Sequence, residues 1–200
     1  MSIVATAPAR KPLLHPLLAA LLLAVLQTVI LFAMISERAA ILRDGTEIRL
    51  RTAPVDPRDL LRGDYVILSY DISTISADRI IGPLPDGTEP ARLYVRLSPG
   101  DDGFWQLREA SFAPLQKSPE SVVLLSQPFA YYPPAPGFSA SYVVPYGIER
   151  YYVPEGEGRV LEEARNAEAL SVIARVSDSG TAQIAAIVID GKPVYEEPLY

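Results

Sequence analysis

Nineteen consecutive residues, Leu17 to Ile35, carry no charge, and only Gln27 and Thr28 among them are clearly polar. At about 1.5 Å of rise per residue, a helix of that length covers about 28 Å, close to the hydrocarbon thickness of a bilayer. Leu13 and Leu14 extend the run, and Pro16 stands where a first helical turn tolerates proline. A helix buried in a soluble core rarely runs so long without one polar face. A cleaved signal peptide has an apolar region of roughly 7–15 residues that ends at a small-x-small site. Phe32 to Ala40 offers no convincing site of that kind. The run therefore predicts an uncleaved transmembrane anchor over residues 13–36, behind a short tail of residues 1–12.

Orientation follows from the flanking positive charge. Arg10 and Lys11 precede the helix with no acid before them, and Glu37, Arg38, Arg43 and Asp44 follow it. With two basic residues on each side the charge signal is nearly balanced. A short leading tail and a long trailing domain resemble a signal anchor. The expected topology is single-pass in the cytoplasmic (inner) membrane, N-terminus inside and C-terminal domain extracytoplasmic.

That trailing part is acidic. From Glu37 onward the chain holds 16 basic and 24 acidic residues, a net charge of −8. Without a basic stripe it is a poor nucleic-acid binder, and that class of partner is set aside. There is no cysteine, so neither disulfides nor thiol catalysis enter. Thr46 to Thr52 alternates polar and apolar residues as a half-buried strand does, and Gly63 to Ser73 reads as a second strand. Arg92 to Leu97 and Phe104 to Phe112 read as a hairpin around Ser98–Gly103, and Leu170 to Val176 and Thr181 to Asp190 as another around Ser177–Gly180. Ser121 to Leu125, Phe138 to Val144 and Lys192 to Glu196 are further strand candidates. The Ala-, Leu- and Glu-rich stretch near 159–169 is the one convincing helix past the anchor. The expected fold is mainly β: one transmembrane helix, then a single β-rich domain over 45–200, a partly closed barrel or a sandwich, with one short helix.

The stretch Gly63-Asp64-Tyr65-Val66-Ile67-Leu68-Ser69-Tyr70 carries the most specific signal. In a strand, Asp64, Val66, Leu68 and Tyr70 share one face, and Tyr65, Ile67 and Ser69 the other. Both faces are largely apolar, which predicts a strand covered on both sides. Gly63 allows a positive φ or a close backbone approach, and Asp64 is placed to accept N–H groups of the preceding loop. Buried tyrosines contribute area while each hydroxyl needs a partner. On this reading the octet is a device for starting a strand, with Asp64 as an acid/base or ligand contact the functional alternative.

The octet matches letter for letter the pattern that names the GDYXXLXY family of bacterial membrane-anchored proteins. A second block, Tyr146 to Gly156, is similar to that family's G-[IL]-E-R-[YF]-[YF]-V-P-E-G segment, and the resemblance extends over most of residues 37–190. It implies a membrane-anchored protein without an established biochemical role, associated with a polytopic membrane protein. No catalytic residues come with it. The candidate functional residues are Gly63, Asp64, Tyr65, Leu68, Tyr70, Glu149 and Arg150.

Known reaction chemistries find little support. Asp56 to Val66 resembles the stretch after the nucleophile of signal-peptidase-like serine proteases, yet Arg51-Thr52-Ala53-Pro54-Val55 upstream holds no serine. The single histidine, His15, lies at the membrane boundary, so the domain has no Ser-His-Asp triad and no histidine zinc site. There is no Gly-rich phosphate loop and no nucleophile elbow, and no cofactor or metal is expected. Asp101-Asp102-Gly103 reads as a tight turn. Glu149 and Arg150 point to opposite faces of a strand, and the plain reading of each is an ion pair with another strand. The tyrosines from Tyr131 to Tyr152 are read first as core. The leading expectation is an accessory or interaction protein. The rivals are a membrane-tethered hydrolase using carboxylates at Asp64 and Glu149, and a glycan- or ligand-binding module using the tyrosine-rich segment.

Overall fold

The structure is a computed structural model that describes residues 16–54, 65–85, 90–133 and 140–198. Among these, helix α1 spans Pro16–Asp44, and its apolar residues run right around it. No residue from Pro16 to Arg38 is buried. The helix is long and apolar enough to cross a membrane. Packing divides the described residues at Arg38, with those up to Arg38 in one unit and those from Ala39 onward in another.

The last turn of α1 belongs to the second unit, where Ala39, Ile41 and Leu42 are buried. One residue, Gly45, separates it from the first strand. The Gly45 N–H donates to the Ile41 carbonyl at 2.9 Å, which closes the helix end. A Cβ at this position would lie 2.4 Å from that oxygen, so only glycine fits the corner.

The β-rich unit then runs in short pieces. Strand β1 is Thr46–Ala53, β2 Tyr65–Ile67, β3 Ser69–Tyr70, β4 Thr74–Ser76, β5 Ile80–Ile81, β6 Pro90–Ala91 and β7 Tyr94–Pro99. There follow β8 Trp105–Ser111, β9 Val122–Leu125, β10 Phe129–Ala130, β11 Ser141–Val143 and β12 Arg150–Tyr152. Helix α2 is Gly158–Asn166, and β13 Leu170–Val176, β14 Ala182–Ile189 and β15 Lys192–Glu196 complete the chain.

Among the described residues, two larger sheets carry the core. One is antiparallel, in the order β15-β14-β13-β1-β3, and the other is β5-β8-β7-β9. Three two-stranded ribbons, β10-β6, β11-β4 and β12-β2, supplement them. The alternation foreseen for β1 holds: Ile48, Leu50 and Thr52 turn inward while Glu47, Arg49 and Arg51 turn away. Ile48 and Leu50 join Val172 and Ala174 of β13, Val95 and Leu97 of β7 and Leu124 of β9 in one buried cluster. Burying aliphatic side chains of this size stabilises by roughly 1.5–3 kcal/mol each.

An apolar N-terminal helix followed by a β-rich domain with a single short α-helix is thus what the described residues form. Among the described residues no sheet closes into a barrel. The expected strand Gly63–Ser73 differs in detail. It is divided at Leu68, because β2 pairs with β12 while β3 pairs with β1. A 3-10 turn, Asp71–Ser73, ends it. Nor is it covered on both sides: Val66 and Leu68 are buried, whereas Ile67 is 39% exposed.

Candidate functional site

The two motif blocks, about eighty residues apart in sequence, fold against each other. β2 and β12 pair antiparallel with Tyr65 opposite Tyr152, Val66 opposite Tyr151 and Ile67 opposite Arg150. The Leu68 N–H then donates to the Glu149 carbonyl at 2.9 Å, carrying the pairing past the end of both strands.

Beyond that point two tyrosines clasp the blocks reciprocally. The Tyr70 hydroxyl donates to the Ile148 carbonyl at 2.6 Å, and the Tyr146 hydroxyl donates to the Ile72 carbonyl at 2.7 Å. Each ring is 1% exposed. Burial, and secondarily the nearby Glu149 carboxylate, pushes both phenols well above the usual tyrosine range. They therefore stay protonated and act as donors. Two main-chain carbonyls that would otherwise be buried without partners are satisfied this way. The Tyr70 N–H is taken by the Ser73 hydroxyl at 3.1 Å, and the Ser73 carbonyl accepts from Val144 at 2.8 Å.

Glu149 closes the turn before β12. One carboxylate oxygen accepts the Tyr146 N–H at 2.5 Å, and the other accepts the Gly147 N–H at 2.9 Å. Gly147 sits at φ +87°, where a side chain would be strained, and a Cβ would meet the Gln127 amide nitrogen at 3.0 Å. The ion pairs expected of Glu149 and Arg150 do not form among the described residues. Glu149 spends its charge on backbone N–H groups, and the Arg150 guanidinium lies 5.6 Å over the Tyr65 ring.

The ribbon has two faces. Inward lie Val66, Leu68 and Tyr151, all buried. Burial and the Glu197 carboxylate push the Tyr151 phenol up to about 12. Outward lie Tyr65, Ile67, Arg150 and Tyr152, with Tyr152 69% exposed. The Tyr65 and Tyr152 rings stand 5.8 Å apart, a cross-strand pair on that face.

Arg165, on α2, was not a candidate from sequence. It is 3% exposed, and its Nη1 donates to the Ile67 carbonyl at 2.6 Å. Its Nε and Nη2 donate to the Asn166 amide oxygen at 3.2 and 3.1 Å. The guanidinium thus caps a carbonyl of β2, part of a strand edge that other chains could otherwise pair with. Leu161 and Arg165, four apart and both buried, mark the inner stripe of α2, so the clue was an arginine where the helical period asks for an apolar residue.

Of the candidate residues, Tyr65, Leu68, Tyr70, Glu149 and Arg150 are brought together, while Gly63 and Asp64 lie outside the described residues. Of the tyrosine-rich segment, Tyr131, Tyr142, Tyr146 and Tyr151 are core, and Tyr132 and Tyr152 are exposed. Among the described residues no three acidic or histidine side chains gather as a metal site. A cleft of about 240 Å³ lies between β9 and the β13–β14 turn, lined by Thr46, Ser121, Val123, Ser177 and Asp178, and it contains none of the candidate residues. The Lys117–Asp178 ion pair, at 2.5 Å, forms part of its wall.

A family model described as GDYXXLXY protein matches residues 27–187. No curated protein and no solved structure matches the chain. The match spans the C-terminal part of α1 from Gln27, both motif blocks and most of the hairpin beyond them. The chain belongs to the GDYXXLXY protein family.

Proposed function

We propose that this protein is a membrane-anchored accessory protein that acts by docking on a membrane protein partner rather than by a reaction of its own. Residues 1–12 are a short inner tail, 13–36 the anchor, and 45–200 the domain outside the cytoplasmic membrane. The observation that supports this reading is how the polar groups of the motif are used. The hydroxyls of Tyr70 and Tyr146 and both oxygens of Glu149 are spent on main-chain partners. Groups so committed organise a backbone, whereas an acid/base residue must keep an oxygen free for substrate.

The test is recovery of the full-length chain from membranes after mild detergent solubilisation and in-cell cross-linking. An integral membrane protein should co-purify in near-stoichiometric amount. Repeated recovery of the chain alone would sink the docking reading. A phosphatase reporter fused after residue 200 should be active only if the domain faces outward, and an inactive reporter would reverse the topology.

A further inference from the structure

We propose that the outer face of the motif ribbon, formed by Tyr65, Ile67, Arg150 and Tyr152, grips a protein loop that presents a carboxylate beside an apolar side chain. This rests on the docking reading above and names its surface. Three observations carry it.

Packing accounts for part of the octet only. Leu68 is 2% exposed and Tyr70 1%, so burial explains both. Tyr65 is a letter of the same signature, yet its ring stands on the outward face, in contact with Tyr152 and Arg150. A signature residue that the core does not need points to recognition.

The composition of the face fits. Tyrosine and arginine are the residue types enriched where protein interfaces concentrate their binding energy. Ile67 is 39% and Tyr152 69% exposed, leaving apolar and aromatic surface uncovered on strands whose other face is packed.

The charge selects the partner. Among the described residues Arg51, Arg96, Lys117, Arg159 and Arg175 each reach a carboxylate, and Arg49, Arg79, Arg108 and Arg165 reach a hydroxyl, a carbonyl or an amide oxygen; the exposed Arg150 lies over the Tyr65 ring. The chain from Glu37 onward carries a net charge of −8, which repels an anionic bilayer surface as a whole. Within a screening length of about 8–10 Å, a single loop carboxylate is governed by Arg150 rather than by that net charge. The ring pair and Ile67 bury the loop's apolar neighbour.

The experiment places the photo-cross-linker p-benzoylphenylalanine at Tyr152, or at Val160 on α2 as an exposed control, in the full chain in its native membrane. The expected adduct at position 152 is a loop of an integral membrane protein that contains an Asp or Glu, with none at 160. Arg150→Glu should lower its yield at least about tenfold, and reversing the identified acid of the partner to arginine should restore it. Tyr152→Ala, with unchanged thermal stability, should reduce co-purification and serves if Arg150→Glu fails to fold. Adducts to lipid or to a second copy of the chain overturn the inference. So does a partner that co-purifies undiminished with both variants while cross-linking elsewhere, an outcome that leaves the accessory role standing. Absence of any partner removes that role and this surface together.

Discussion

The two faces of the motif ribbon are built from the same residue types and put to opposite use. On the inner side, tyrosines lie beside Leu68, their rings filling the core and two of their hydroxyls closing main-chain carbonyls. On the outer side, the half-buried Tyr65 ring packs against the exposed Tyr152 with Arg150 beside them. The difference teaches that the family signature is composite. Among its described letters, Leu68 and Tyr70 face the core and help join two distant segments, while Tyr65 stands on the outward face. Substitutions on the two faces should therefore separate stability from binding.

The largest effect belongs to Leu68→Ala. Leu68 is fully packed, so truncation leaves a cavity and should destabilise the protein by about 2–5 kcal/mol. Urea unfolding of the full chain in detergent, followed by the fluorescence of Trp105, measures this. Ile67→Ala, one residue away on the open face, should cost several times less. Equal losses would mean that the two faces do not differ.

The clasp comes next. Tyr70→Phe leaves the Ile148 carbonyl buried without a donor, and Tyr146→Phe does the same to Ile72. Each should cost about 1–3 kcal/mol, since an orphaned buried carbonyl loses its hydration without compensation. Because both hydroxyls hold the same pair of segments together, the double variant should lose less than the sum of the two. A fully additive double variant would show that the two bonds act independently and that the reciprocal clasp is not one unit.

How much of this could be read from the chain depends on how local each feature is. The alternation of β1, the hairpin of β13 and β14, helix α2 and the long apolar helix all follow from short-range periodicity, and each forms close to its expected place. The break at Leu68 does not, since nothing local says that the chain changes partners from β12 to β1 there. The apolar letters Tyr65 and Ile67 suggested a covered face. In a two-stranded ribbon that face is only partly covered among the described residues, with Tyr65 half-buried and Ile67 39% exposed. Glu149 looked like an ion-pair residue because its real partners, two N–H groups of the turn before it, depend on Gly147 adopting a positive φ. Arg165 was invisible because its partner is a carbonyl, which carries no sequence signature.

The inner tyrosines also predict an alkaline limit. Tyr151 has its phenol pushed up to about 12, against an ordinary value of about 10 in the unfolded chain. The folded state therefore holds a proton that the unfolded state releases first. The stability this contributes is fully present below pH of about 10 and is lost as pH rises through about 12. Tyr70 and Tyr146, also raised, act in the same sense. In that window stability should fall by up to about 1.4 kcal/mol per pH unit for each tyrosine that titrates on unfolding. Tyr151→Phe should flatten the slope between those limits in pH-dependent urea unfolding. An unchanged slope would mean that Tyr151 ionises as easily folded as unfolded.

The smallest effect on stability should come from the outer face, and there the smallness itself is the evidence. Tyr152 is 69% exposed, so Tyr152→Ala opens no cavity and leaves Arg150 over the Tyr65 ring. What is lost is one cross-strand aromatic contact at 5.8 Å, worth roughly 0.2–1 kcal/mol. The midpoint of unfolding should barely move, while partner recovery from membranes should drop. A loss of more than about 2 kcal/mol would place Tyr152 among the residues that hold the fold. The two faces would then serve one purpose, and the exposed half of the signature would need no partner to explain it.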